Sequence, residues 1–400
     1  MKKLHIVNTE EVIRGDATDV YFIRTESILK NTHQARNVCM EIFLKSFPSS
    51  EYRWGIFAGL EEVLILLEGR PVKVRALPEG SVFFARTPVV SIEGNYLDFG
   101  GLETAILGCL CQASGIATRA SRARVAAGTK GLFSFGARRM HPSIAPMVER
   151  AAYIGGCDGV ATVAGARLIG EKPVGTIPHA LILQIGDTVE ATKAFDSVIS
   201  NDVPRVALID TFQDEKFEAI RVAQALGKRL SAVRLDTPGS RRGNFKEILR
   251  EVRWELDIRG FEHVKLFVSG GLDEYTILEL KDVVDSFGVG TRMSSAASLD
   301  FSMDIVEIDG KPIAKRGKES GRKSLMRCRE CMRDYVVPYG KVKTCDCGRA
   351  TSDILETVME NGRLLKKLPS AQEVRTHSMD ELEMLTRDKD PRDILNVKPV

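Results

Sequence analysis

From about residue 109 to residue 300 the sequence alternates short apolar runs with one-sided amphipathic stretches, and this alternation restricts the fold more than any other feature of the chain. The clearest runs are RVALIDTF, SAVRLDTPG, VKLFVSGGLDE and FGVGTRMS, whose polar ends fall at Asp210, Asp236, Ser269 and Gly290. Each interval between those ends is long enough for one strand and one helix, roughly 20–35 residues. Two intervals carry a helical stripe, Phe245, Ile248, Leu249, Val252 and Leu256 in one and Ile277, Leu280, Val283, Val284 and Phe287 in the next. Such stripes are core-facing helix surfaces. Repeated strand–helix units build a parallel sheet, so the chain is α/β. Earlier runs, GLFSFGARR, GVATVAGARLIG and PVGTIPHALILQIG, read as further strands with their loops, which favours an irregular (β/α) barrel over an open doubly wound sheet. In both architectures ligand sites gather at the carboxyl ends of the strands, where these polar residues lie.

Four hundred residues exceed one ordinary core. Residues 1–108 read as an N-terminal α/β layer, an α+β domain with the helical run WGIFAGLEEVLILLEG and strands punctuated by Pro78-Glu79-Gly80 and Gly94-Asn95. Residues 109–300 are the barrel. Residues 301–400 form a C-terminal segment: a hairpin-like DIVEIDGKPIAKRG turning at Asp309-Gly310, a small zinc-ribbon-like appendage within 325–350, and a charged tail expected to be helical.

The appendage rests on Cys328 and Cys331, a C-x2-C pair, and on Cys345 and Cys347, a C-x-C pair 13 residues further on. Four thiolates so spaced suit a closed, structural zinc site rather than a catalytic one, which keeps a position open. A disulfide is the alternative. The start, MKKLHIVNTEEVIRGD, contains no apolar stretch of signal or membrane length, so a cytoplasmic protein with no membrane association is expected. There Cys39, Cys109, Cys111 and Cys157 are expected reduced and packed. With 57 basic and 54 acidic residues the charges nearly cancel, giving no general reason to expect nucleic acid.

Local sites carry more. Arg234 and Asp236 are two apart on a strand and share a side, while Asp210 repeats the carboxylate at the neighbouring strand end. Two carboxylates and an arginine suit a polyol bearing an anion, although Asp236 could equally cap a helix or pair with Arg234. The runs SGGLDE (Ser269, Gly270, Gly271) and GVGT (Gly290, Thr291) let backbone amides approach a phosphate, with plain turns as the bland alternative. FSFGARRMHP gathers Phe135, Arg138 and Arg139, a flat face beside cations, and an aromatic acid fits it; Arg139 alone reads as a solvated side chain. His179 follows Pro178, and a lone histidine there is more often structural than catalytic.

Taken in order, TDVYF, FSFGARR, GGCDGVATVAG, GTIPHA, VRLDTPG, SGGLDE and GVGT resemble the nicotinate phosphoribosyltransferase family over most of residues 1–300. The resemblance implies a homodimer or higher homo-oligomer with shared active sites. It implies the joining of nicotinate to 5-phosphoribosyl-1-pyrophosphate, giving nicotinate mononucleotide and pyrophosphate. Tyr21, supplied by the partner subunit, and Phe135 would sandwich the pyridine ring. Arg138 would face the acid group or the phosphates, with Arg139, Thr162 and Arg234 as further substrate contacts. Asp210 and Asp236 would hold the ribose hydroxyls, and Ser269, Gly270, Gly271, Gly290 and Thr291 the 5′-phosphate. His179 matches the histidine phosphorylated by ATP. Mg2+ would accompany the pyrophosphate and Zn2+ the cysteines.

In nicotinamide-using relatives the stretch resembling ATVAG begins with aspartate; here it begins with Ala161, which favours the acid. The run DTPGSRRGN departs from the usual serine-glycine-acid ribose motif. Two rival readings stand beside this one. Quinolinate phosphoribosyltransferase shares the fold type but must bind two carboxylates, asking for more cations than Arg138 and Arg139. A zinc-ribbon nucleic-acid-binding protein would use the locally basic stretch 316–333.

Overall fold

A computed structural model describes residues 4–396 and divides the polypeptide into two compact units, one formed by the chain up to Thr118 together with the chain from Ala296, the other by Arg119–Ser295.

The first unit is built on a seven-stranded sheet in the order Lys311–Pro312, Phe301–Ile308, Asn37–Leu44, Pro88–Asn95, Lys73–Ala76, Glu356–Glu360 and Arg363–Leu364. Each neighbouring pair is antiparallel. Ile42, Leu44, Val74, Val90, Ile92, Phe301 and Met359 pack with Val63, Leu64 and Leu67 of the helix Leu60–Leu67 and with Ile106 and Leu110 of the helix Glu103–Ala127. At up to about 3 kcal/mol per fully buried aliphatic side chain, this shared core explains why residues after 300 do not stand apart. The third segment expected from the sequence is therefore corrected: its strands complete the N-terminal sheet, and the cysteine hairpin forms a small sheet of its own, Lys323–Cys328 between Arg333–Pro338 and Ser352–Asp353, with Leu325 packed into the same core. The expected hairpin at Asp309-Gly310 is present, with both residues at positive φ (48° and 76°) as a two-residue connection of primed type requires. The tail forms the helix Ala371–Thr386, opened by a Ser370–Glu373 capping box.

The second unit is a curled sheet of six parallel strands, Gly159–Val160, Gly131–Ser134, Ser286–Val289, Lys265–Ser269, Leu230–Leu235 and Arg205–Leu208 in spatial order. Its two end strands are not paired with each other, so the sheet is a half-barrel. The helix Phe245–Asp257 buries Phe245, Leu249, Val252 and Leu256, the face read from its spacing. One strand expectation fails. PVGTIPHALILQIG supplies no strand; His179–Ile185 is helical and buries only Ile182, because Pro178 takes the cap position before the first turn and the run presents one face instead of alternating.

Tyr96–Ala127 is long and apolar enough to cross a membrane by composition, yet Phe99, Leu102, Ile106, Leu110, Ile116 and Ala120 along it are buried core. All eight cysteines are free. Burial pushes the Cys39 thiol up to about 11 and Cys109 up to about 12, which keeps both protonated and unreactive near neutrality.

Candidate active site

Because all six strands of the half-barrel run the same way, their carboxyl ends share one rim. Phe135 follows Gly131–Ser134, Ala161 and Thr162 follow Gly159–Val160, and Asp210 follows Arg205–Leu208. Asp236 follows Leu230–Leu235, Gly270 and Gly271 follow Lys265–Ser269, and Gly290 follows Ser286–Val289.

The two aspartates meet. Oδ2 of Asp210 accepts the Asp236 amide at 3.1 Å, while Asp236 accepts from Ser269 Oγ at 2.8 Å and from Arg234 Nη2 at 3.1 Å. Among the described residues, Oδ1 of Asp210 is buried with no hydrogen-bond partner. Burial foremost, and then the neighbouring Asp236 charge, push the Asp210 carboxyl above its ordinary value, with His179 pulling the other way. A buried carboxylate oxygen without a hydrogen bond from the chain is able to accept one from a bound molecule or water. His179 opens its helix beside this pair: Nδ1 lies 3.0 Å from Thr211 Oγ1, and Nε2 lies 3.9 Å from an oxygen of each aspartate.

Arg234 is not a free phosphate grip. Its Nε donates to Ser269 Oγ at 2.9 Å, Nη1 to Thr176 Oγ1 at 2.5 Å and Nη2 to Asp236, and its guanidinium lies 5.5 Å from the Phe135 ring centre. It is a strut that ties the ends of its own strand and of Lys265–Ser269 to the loop before His179, beside the Phe135 ring. Phe135 in turn sits against Gly288, where an added Cβ would come within 2.6 Å of the ring. Arg138 and Arg139 are exposed at the same rim and, among the described residues, make no ion pair or hydrogen bond through their side chains.

Gly270 and Gly271 both have positive φ (86° and 68°), a conformation that favours glycine. Among the described residues neither of their N–H groups finds an acceptor in the chain, and Thr291 opens a short helix whose first amides are also open. Unpaired amides beside small residues are suited to an anion.

Thr162 caps the helix Val163–Leu168, accepting from the Gly165 amide at 3.0 Å, and gives its proton to Glu149. Its hydroxyl is thus occupied by structural bonds. Glu149, wholly buried, also accepts the amides of Ala161 (2.9 Å) and Thr162 (3.0 Å). Reading the sequence missed Glu149, Thr176 and Thr211. Thr211 was accessible, since it immediately follows the strand-end Asp210; Glu149 was hidden in an ordinary-looking helical run.

Tyr21 belongs to the other unit. It is 56% exposed on the helix Val20–Thr32, together with Val20, Ile23 and Ile28, while only Phe22 of that helix is buried. The sulfurs of Cys328, Cys331, Cys345 and Cys347 all lie within 4.8 Å of one another, with separations of 3.2, 3.5, 3.7 and 4.0 Å among them. Zn–S bonds of about 2.3 Å in a tetrahedron put sulfurs about 3.8 Å apart, so the set fits zinc; a disulfide would need about 2.05 Å. In the stretch 316–333, Lys318, Arg322, Lys323 and Arg327 are already paired with Asp304, Glu93 and Glu307, Glu41, and Asp334 and Glu381. Those pairings neutralise four of the seven basic residues in the stretch, and Arg333 pairs with Asp346, while Arg316 and Arg329 stay exposed.

Comparison with known proteins agrees with this layout. Residues 19–114 match the quinolinate phosphoribosyl transferase N-terminal domain and residues 116–304 the C-terminal domain of the same family. Nicotinate phosphoribosyltransferase pncB1 of Mycobacterium tuberculosis is 30% identical over 354 residues, 78% of each chain. The nicotinate phosphoribosyltransferase of Bacillus subtilis is 25% identical over 439 residues, 92% of this chain and 88% of its own. Among solved structures, nicotinate-nucleotide pyrophosphorylase from Pyrococcus furiosus superposes with a TM-score of 0.94 at 52% identity, covering 97% of this chain and all of that one. Human nicotinic acid phosphoribosyltransferase, at 21% identity, shares the fold with a TM-score of 0.73 over 93% of this chain and 94% of its own.

Proposed function

The chain belongs to the nicotinate phosphoribosyltransferase family, phosphoribosyl-transferring enzymes of NAD biosynthesis, and from that premise we propose how its own residues carry the reaction. The observation that carries the reading is the buried Asp210 Oδ1, which among the described residues accepts no hydrogen bond, beside Asp236 and on the same rim as the open amides of Gly270 and Gly271. A sugar phosphate asks for that pair of features, acceptors for hydroxyls and donors for phosphate.

In the proposed reaction the ring nitrogen of nicotinate attacks C1 of the ribose as the bond from C1 to pyrophosphate breaks. The sugar passes through an oxocarbenium-like state, so the chain's task is alignment and fixed charge. Asp210 and Asp236 hold the ribose hydroxyls, and their charge favours the cationic sugar. Ser269 to Gly271, with Gly290 and Thr291, hold the 5′-phosphate. Phe135 supports the pyridine ring, Arg138 and Arg139 attract its carboxylate, and Ala161 leaves no charge to repel it. Magnesium bound with the pyrophosphate would neutralise the leaving group, and the open Asp210 oxygen suits one of its waters as well as a hydroxyl.

Thr211 engages Nδ1 of His179 and leaves Nε2 as the atom able to take the γ-phosphoryl group of ATP, releasing ADP. Coupling through such a phosphohistidine would drive an otherwise unfavourable equilibrium. The exposed apolar helix bearing Tyr21 supports a homodimer in which that ring enters the partner's site, and the four-sulfur cage supports a structural zinc ion.

Pyrophosphate release from nicotinate plus 5-phosphoribosyl-1-pyrophosphate, with and without ATP, tests the reading. Release of carbon dioxide from quinolinate while nicotinate stays inert would replace it with the decarboxylating relative.

A further inference from the structure

The loop that follows Asp236, DTPGSRRGN, folds back on the phosphate-binding turn through a single side chain. Arg242 donates from Nε to the Thr237 carbonyl at 2.6 Å, and from Nη2 to the carbonyls of Ser269 (2.9 Å) and Gly270. Its guanidinium lies 4.5 Å from the Phe245 ring centre. It is only partly exposed and, among the described residues, forms no ion pair. Burial without a contacting carboxylate pulls its pKa below the ordinary arginine value, against the more distant charges of Asp236 and Asp210.

The consequence lies in the peptide planes. In a trans peptide the carbonyl and the following N–H point in opposite directions. With the carbonyls of Ser269 and Gly270 drawn onto Arg242, the N–H groups of Gly270 and Gly271 are turned away from it, and those are the two amides without an acceptor in the chain. A Cβ at Gly270 would come within 3.0 Å of Arg242 Nη2 and 2.9 Å of Asp236 Oδ1, so the glycine is what lets the clamp close.

We propose that Arg242 is a positioning residue for the sugar-phosphate site: by holding the Ser269 and Gly270 carbonyls it aims the Gly270 and Gly271 amides at the 5′-phosphate of the phosphoribosyl donor. This rests on the function proposed above. A lysine at this place could not reproduce a fork that serves carbonyls on two loops at once.

The test compares Arg242→Ala, Arg242→Lys and, as a control, Arg241→Ala, whose side chain is exposed on the same loop. Binding of 5-phosphoribosyl-1-pyrophosphate by titration calorimetry reads Arg242 whichever pyridine acid is turned over; pyrophosphate release reads the function itself. Arg242→Ala is expected to weaken donor binding and raise its KM about tenfold or more, with the nicotinate KM within about threefold of wild type. Guanidinium ion added at tens of millimolar should restore part of the loss to Arg242→Ala but none to Arg242→Lys. Unchanged donor binding in Arg242→Ala, or a parallel rise of both KM values with no response to guanidinium, would overturn the proposal. Wild-type donor binding without pyrophosphate release from nicotinate would instead overturn the function while leaving Arg242 tested by calorimetry.

Discussion

Glu149 and Thr162 are joined twice, the buried carboxylate accepting both the amide and the hydroxyl of the threonine, and with the Ala161 amide these donors satisfy a buried carboxylate that, among the described residues, has no cation partner. Removing that acceptor leaves three donors unsatisfied. Each costs about 1–3 kcal/mol, partly relieved by water, so Glu149→Ala should lose roughly 2–4 kcal/mol in urea unfolding. Glu149→Gln should lose less, since one oxygen still accepts. Unaltered stability in both would show that the turn is held by other contacts.

Asp210 offers a pH signature. Its carboxyl is raised, so the folded protein keeps that proton to higher pH than the unfolded chain does, and stability falls as pH rises from the ordinary carboxylate range through the raised value. Asp210→Asn should therefore melt higher than wild type near neutral pH. Ribose binding needs the ionised form, so wild-type kcat/KM should fall as pH drops through the same window, and the asparagine variant should lose about 10²-fold activity with that acid limb absent. A thermal shift assay across pH together with pH–rate profiles checks both halves.

His179 separates chemistry from energy coupling. With Ala at this position, ATP should no longer be split in the presence of nicotinate and no acid-labile phosphoprotein should form. Transfer without ATP should persist within about tenfold of the wild-type rate measured without ATP. Labelling with γ-phosphate-labelled ATP followed by acid treatment gives the readout; equal labelling of the alanine variant would place the phosphoryl group elsewhere.

Elemental analysis of chain purified without chelator should find about one zinc per chain, and Cys345→Ser should leave less than half of that with a lower melting temperature. Full occupancy in the serine variant would remove Cys345 from the ligand set.

The strand ends were legible because a parallel strand buried on both faces reads as an apolar run that stops abruptly at the rim, as VALID and VRLD do at Asp210 and Asp236. The glycine turns were legible too, since positive φ at Gly270 and Gly271 demands the residue type. The pairing of Phe301–Ile308 with Asn37–Leu44 was not, because no local signal links strands that far apart in the chain. Arg242 looked like one of two loop arginines, and Arg234 like a phosphate ligand; spacing says which side a residue faces but not how many partners its nitrogens already have. His179–Ile185 was misread as strand because a short apolar run has no decisive period.

The split of the first unit across both ends of the sequence governs its synthesis. Before residue 301 is synthesised, Asn37–Leu44, Pro88–Asn95 and Lys73–Ala76 can pair only with one another within this sheet, and the outer two of the three have no neighbour on their other side. Phe301–Ile308 later closes one border and Glu356–Glu360 the other. A nascent chain stalled near residue 300 thus carries two bare templates for association with other chains, and the last hundred residues, which contribute little to the catalytic rim, are what retire them.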